Sequence, residues 1–170
     1  MKTLLSFLVL LLTVSISAQK LKTSYDKFHD HTLIQSPAID LRPLITQYAI
    51  LFDSLTMQID LGYEGQKLKG DAEYFLVVNS HSRDWEFLRS SDLVILADGK
   101  RIAFDKPERS SHVLSGGVSE LLIYSLKPND LKLLADAKTI EMQIGFFELT
   151  LQSEEPSPFK LIFAAGIPAN

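Results

Sequence analysis

Residues Thr139-Ile140-Glu141-Met142-Gln143-Ile144-Gly145-Phe146-Phe147-Glu148-Leu149-Thr150-Leu151-Gln152 carry the clearest structural signal in the chain. A two-residue loop centred on Gly145-Phe146 sets Ile144 against Phe147, Met142 against Leu149 and Ile140 against Leu151. The same register sets Gln143 against Glu148 and Glu141 against Thr150. Every apolar side chain then shares one surface and every polar one the other, as a half-buried antiparallel pair requires. Gly145 suits the first position of a type II′ turn, where φ is positive and a Cβ would be strained. The three apolar cross-strand pairs add roughly 0.2–1 kcal/mol each beyond simple burial.

Working outward, Asp98-Gly99 is a type I′ signature. It pairs Ile95 with Ile102 and Leu93 with Phe104 on one face, and Val94 with Ala103 and Leu96 with Arg101 on the other. Leu55, Met57, Ile59, Leu61 and Tyr63 alternate with polar or small residues after a change of phase at Asp53-Ser54. Tyr74 to Val78 reads as a buried strand, Glu120 to Ser125 as another, and Ile45 to Phe52 is apolar enough for a third. Thr32 to Leu41, broken by Pro37, reads as an edge strand or two short pieces. Trp85 and Phe87 alternate inward. Glu64–Asp71 and Lys106–Gly117 read as loops, the second holding at most a short strand at His112-Val113-Leu114. Pro128 and Asp130 open a helix whose Leu131, Leu134, Ala135 and Lys138 share one side. Ser157-Pro158 opens a second, stopped by Gly166, with a final apolar strand as the alternative reading. About ten short strands between regular turns indicate a mainly β fold. The expected architecture is an antiparallel β-sandwich or open barrel with one or two short helices near the C-terminus.

The first 18 residues read differently. Lys2 precedes an apolar run from Leu4 to Val14, and Ala18 ends a small-residue stretch. That is the pattern of a secretory signal peptide cleaved after Ala18, and the run is shorter than the ~20 residues a spanning helix needs. The expected organisation is a signal peptide over 1–18, a polar N-terminal arm over 19–31, with Tyr25 and Phe28 docking on the domain, and a single β-rich domain over 32–170. The chain has no Cys, so neither a lipid anchor on Cys nor a disulfide is possible. Export without disulfides or an N-glycosylation sequon (Asn79-Ser80-His81 fails at its third position) fits a bacterial periplasmic or extracellular protein better than a eukaryotic one. A net charge of −4 argues against nucleic acid and against an anionic membrane surface. No membrane insertion is expected after signal cleavage.

Candidate chemistry is sparse. His29-Asp30-His31 places two imidazoles on one side of an extended chain, so His29 and His31 with Asp26 or Asp30 form a weak candidate for metal binding. No third ligand stands at a diagnostic spacing. No Gly-x-Ser-x-Gly elbow is present, and Ser80-His81-Ser82-Arg83-Asp84 are neighbours on a turn, which diverge. Trp85 between Asp84 and Glu86 has the composition of a sugar platform, but its alternation with Phe87 places it in the core. Glu154-Glu155 precede a helix start, where negative charge is favoured for structural reasons. No catalytic residue is assigned and no cofactor is expected.

Ser24-Tyr25-Asp26-Lys27-Phe28, with Asp30 and Thr32, resembles the start of the mature chain in an uncharacterised family of small exported bacterial proteins. Ala137-Lys138-Thr139-Ile140-Glu141-Met142-Gln143-Ile144-Gly145 resembles a stretch near the C-terminal end of the same family. The resemblance implies a bacterial, exported, single-domain protein and carries no site. The expected function is a non-enzymatic module binding a protein or small ligand through its loops. The alternatives are a hydrolase or metal-dependent enzyme built around His29, His31, His81 and His112, and an envelope component that self-associates through a strand edge.

Overall fold

The computed structural model describes residues 20–152 and 157–167, so the expected signal peptide and Glu154-Glu155 lie outside the described residues. Two antiparallel sheets face one another across one apolar core. The larger is built from β1 (Lys22–Asp26), β2 (His31–Gln35), β3 (Ile39–Asp40), β4 (Phe52–Glu64), β5 (Glu73–Ser82), β8 (Glu108–Leu114) and β9 (Gly117–Leu126). Its order is β1-β2-β4-β5-β9-β8, with β3 also beside β4. The smaller contains β6 (Leu93–Ala97), β7 (Lys100–Ala103), β10 (Thr139–Ile144) and β11 (Phe147–Gln152), in the order β11-β10-β6-β7. The fold is a sandwich, not a closed barrel.

Both hairpins have the expected register. Ile140, Met142 and Ile144 lie opposite Leu151, Leu149 and Phe147, and Ile95 lies opposite Ile102. Gly145 has φ +57°, and Asp98 and Gly99 are both positive at +46° and +81°. Asp98 does a second job: its carboxylate accepts the backbone N–H groups of Lys138 and Thr139, which holds its pKa below the usual carboxylate range. Leu55, Met57, Ile59 and Leu61 of β4 pack with Leu76, Val78, Leu122 and Tyr124 against Ile95, Ile140, Met142 and Ile144 of the facing sheet. The change of phase at Asp53 is a bulge, since the β4–β5 register shifts between Phe52 and Ser54.

Three regions differ from the sequence reading. Residues 45–52 are not a strand: short 3₁₀ turns at Arg42–Leu44 and Ala49–Leu51 lead into β4. Ile45 is buried there while Tyr48, Ile50 and Leu51 are exposed, so the apolar run serves no single face. The polar arm contains β1, exposed along its length but paired with β2 from Lys22↔Gln35 to Asp26↔His31. Backbone hydrogen bonds hold it, and Phe28 in the following turn stays in solvent. The loop at 106–117 is mostly the seven-residue edge strand β8, whose partner is β9 alone. Edge strands need only one ladder and little apolar patterning, which is why the stretch reads as a loop.

The helices α1 (Pro128–Asp136) and α2 (Pro158–Ala165) pack on each other and close one end of the sandwich. Leu131, Leu134, Phe159 and Ile162 face inward, and the Ser157 hydroxyl accepts the Lys160 N–H as an N-cap. At the other end Phe52, Phe87 and Phe147 form an aromatic plug, with ring centroids 5.2–6.0 Å apart, and Tyr48 meets Phe147 edge-on.

Phe87 reaches the plug from the crossover between sheets, residues 83–92, which has no ladder of its own. Glu120, fully buried on β9, supplies the missing partners. One carboxylate oxygen accepts the N–H groups of Glu86 and Phe87 at 2.8 and 3.1 Å, and the other pairs with Arg109. Arg109 also lies over the Trp85 ring at 5.5 Å, while its buried Nε finds no acceptor among the described residues. Tyr124 adds a hydrogen bond to the Ser91 carbonyl, and Gly145 N–H one to Asp92.

Removing the Glu120 charge strands Arg109 and two buried N–H groups. Glu120→Ala is expected to lower unfolding free energy by about 3–5 kcal/mol in chemical denaturation. Gly145→Val is expected to cost more than ~1 kcal/mol by the same measurement, because its Cβ combines a positive φ with a contact 2.6 Å from the Ser90 carbonyl oxygen.

Candidate functional site

The residues proposed as metal ligands divide between two places: Asp26 and His29 meet in the turn after β1, and His31 turns away. Asp26 ends β1 and accepts the Phe28 N–H, shaping the turn, while its second oxygen meets His29 Nδ1 at 2.7 Å. The His29 hydrogen bond, then that from Phe28, holds the Asp26 pKa below its ordinary value. His31 starts β2 opposite Asp26 but turns its ring over Gly62 of β4, where an added Cβ would lie 2.9 Å from Nε2. Asp30 is occupied by the Tyr25 hydroxyl at 2.8 Å. His31 instead borders a cleft of about 600 Å³ shared with Glu64, Lys69, Asp71 and Glu73. Among the described residues no three His, Asp or Glu side chains are arranged to hold a metal ion.

The other two histidines fall on one row of the large sheet's outer face. His81 on β5 lies opposite Ser119 on β9, which lies opposite His112 on β8. His81 Nδ1 is 3.3 Å from Ser119 Oγ, and its Nε2 is 3.7 Å from Asp53 Oδ2 at the bulge. The composition is that of a serine–histidine–aspartate relay, brought together from three strands. The geometry is that of a surface network: the aspartate is beyond hydrogen-bond distance and mostly exposed, and Ser119 lies in a regular strand, not on a strained elbow.

Further along the same face, Asp60 is buried between strands and accepts side-chain N–H groups from Gln58 and Gln35 at 2.8 and 3.2 Å. Burial raises its pKa above the ordinary carboxylate value, with both glutamines pulling the other way.

The most unusual surface is at the aromatic-plug end. Four connections converge there. Gly117, at the β8–β9 tip, approaches the Ser82 carbonyl; the crossover continues from Arg83 to Asp92; Gly145 packs on Ser90; and Tyr48 meets Phe147 edge-on. From these connections and the end of β8 project Ile50 (89% exposed), Val113 (72%), Phe146 (65%), Leu88 (59%) and Leu114 (52%). Single exposed apolar residues are ordinary, but five at one pole are not. The sequence hides this group because its members are drawn from positions 50 to 146 and none has an apolar neighbour pattern that marks it. The opposite pole carries the charged cleft, the turns at 65–72 and 98–99, and the 27–30 turn, where Phe28 is exposed, with Ile167 exposed after α2.

Asp60→Asn tests the buried carboxylate. Its folded pKa is raised, so the charged form costs stability as pH climbs through the ordinary value of about 3.9 toward the raised one, and the full cost applies above it. The variant is expected to melt higher than wild type at pH 7, and the difference should shrink toward zero below about pH 4.

Compared with known proteins, the chain matches no family model, no curated protein and no solved structure.

Proposed function

We propose that the chain is an exported bacterial β-sandwich that acts as a non-enzymatic interaction module, using its apolar pole. The five exposed side chains, three on adjoining connections and two at the end of β8, carry this reading. Loops on a rigid two-sheet frame are the usual place for recognition, and exposed apolar groups on them cost solubility unless something covers them. The leader-like N-terminus, the lack of Cys and the resemblance to small exported bacterial proteins support export to the periplasm or beyond.

One observation favours a second reading, a hydrolase: the Asp53–His81–Ser119 row. Ester hydrolysis by the purified chain that both Ser119→Ala and His81→Ala abolish would replace the interaction reading; no such activity is expected.

The interaction reading is tested in the producing cells with a photoreactive residue in place of Phe146 or of Lys100 at the far pole. Illumination should give a discrete adduct from position 146 and none from position 100. Absence of any adduct at 146, or equal labelling from both positions, would remove the reading.

A further inference from the structure

Resting on that reading, we infer that the apolar pole docks on the hydrocarbon boundary of a zwitterionic lipid bilayer. The side chains are arranged as a rim. Ile50 leaves a 3₁₀ turn, Leu88 the crossover, Phe146 a two-residue turn, and Val113 and Leu114 the end of a hairpin. Ile50, Leu88 and Phe146 project singly from their own connections, and Val113 and Leu114 adjoin at the end of β8. The clefts described in the structure, at His31 and Glu73, at Val94 and Glu148, and at Arg42 and Thr46, include none of the five. A folded protein would need a matching socket for each tip, whereas acyl chains need only accept them.

Charge selects the lipid class. Over 41–53 and 83–92 the loops carry Arg42, Arg83 and Arg89 against Asp53, Asp84, Glu86 and Asp92, three cations and four anions, and the tips 114–117 and 145–146 carry none. An anionic leaflet would find no net positive partner, so burial of the apolar tips drives the contact and salt should hardly alter it. Tyr48 and the half-buried Trp85 stand on the same loops, at the level where amphipathic rings meet headgroups. The opposite pole carries the charged cleft, with Phe28 and Ile167 as isolated exposed apolar residues, so the larger apolar group lies at the plug end. No described helix is long and apolar enough to cross a membrane, and the contact needs none.

The chain as recovered from its producing cells is floated with phosphatidylcholine vesicles and compared with Ile50→Ser/Phe146→Ser and with Lys100→Ser. The wild type and Lys100→Ser should float equally, with little change between 50 mM and 500 mM salt, and Trp85 emission should shift to the blue. The double variant, its melting temperature unchanged, should partition at least about tenfold less, since two exposed apolar side chains are removed from the contact. Four results would overturn the proposal: no flotation by the wild type; flotation only with anionic lipid and lost in salt; flotation undiminished in the double variant; or a dimer by light scattering that the double variant abolishes, which would assign the pole to a second copy. A protein adduct from position 146 in cells together with failure to float would remove the bilayer and leave the interaction reading standing.

Discussion

A single carboxylate decides how the two sheets are joined. The chain must leave the large sheet after Ser82 and enter the small one at Leu93, and ten residues of irregular backbone in between have buried N–H groups to satisfy. Glu120 satisfies two of them from the neighbouring strand, and Arg109 compensates its charge. Only with that connection fixed can Phe87 reach Phe52 and Phe147 and fill the end of the core. The apolar interior provides the driving force, but the ion pair chooses where the crossover lies, and the packing follows.

The same arrangement explains why the two ends differ. At the helix end, α1 and α2 cover the core, α1 with a polar outer face, and the nearby turns are charged. At the plug end, aromatic rings fill the interior from loops whose own tips have nothing above them. The exposed apolar residues are therefore a by-product of a core closed by loop side chains instead of by a helix, unless they are used. Their spread over four connections, each anchored by backbone or carboxylate hydrogen bonds, gives a rim held in fixed relative position.

Much of the architecture was legible because burial leaves a period. Residues 139–144 and 147–152 alternate and Asp98-Gly99 fixes the turn of 93–103, so register, turn type and core face follow from the residues alone, and Asp53 even marks the bulge as a change of phase. The failures share one physical origin. β1 and β8 are edge strands, where a ladder on one side suffices and side chains carry no pattern; residues 45–51 are apolar without facing one way. The site was less legible still. Asp26 and His29 meet in one turn while His31, two residues on, turns away, and Asp53, His81 and Ser119 are far apart in sequence yet adjacent on the sheet. Neighbourhood across strands depends on strand order, which local pattern does not contain.

β4 has a mechanical consequence. It runs without interruption from the plug to the charged cleft, and its thirteen residues at roughly 3.3 Å each make a strut of about 40 Å. Paired with β5 from Phe52 to Gly62 and, on its other side, with β3 at 56–57 and β2 at 60–64, it cannot shorten or fold back. A surface gripped at one pole would hold His31 and its cleft at a set standoff, clear of the headgroups and open to whatever diffuses past.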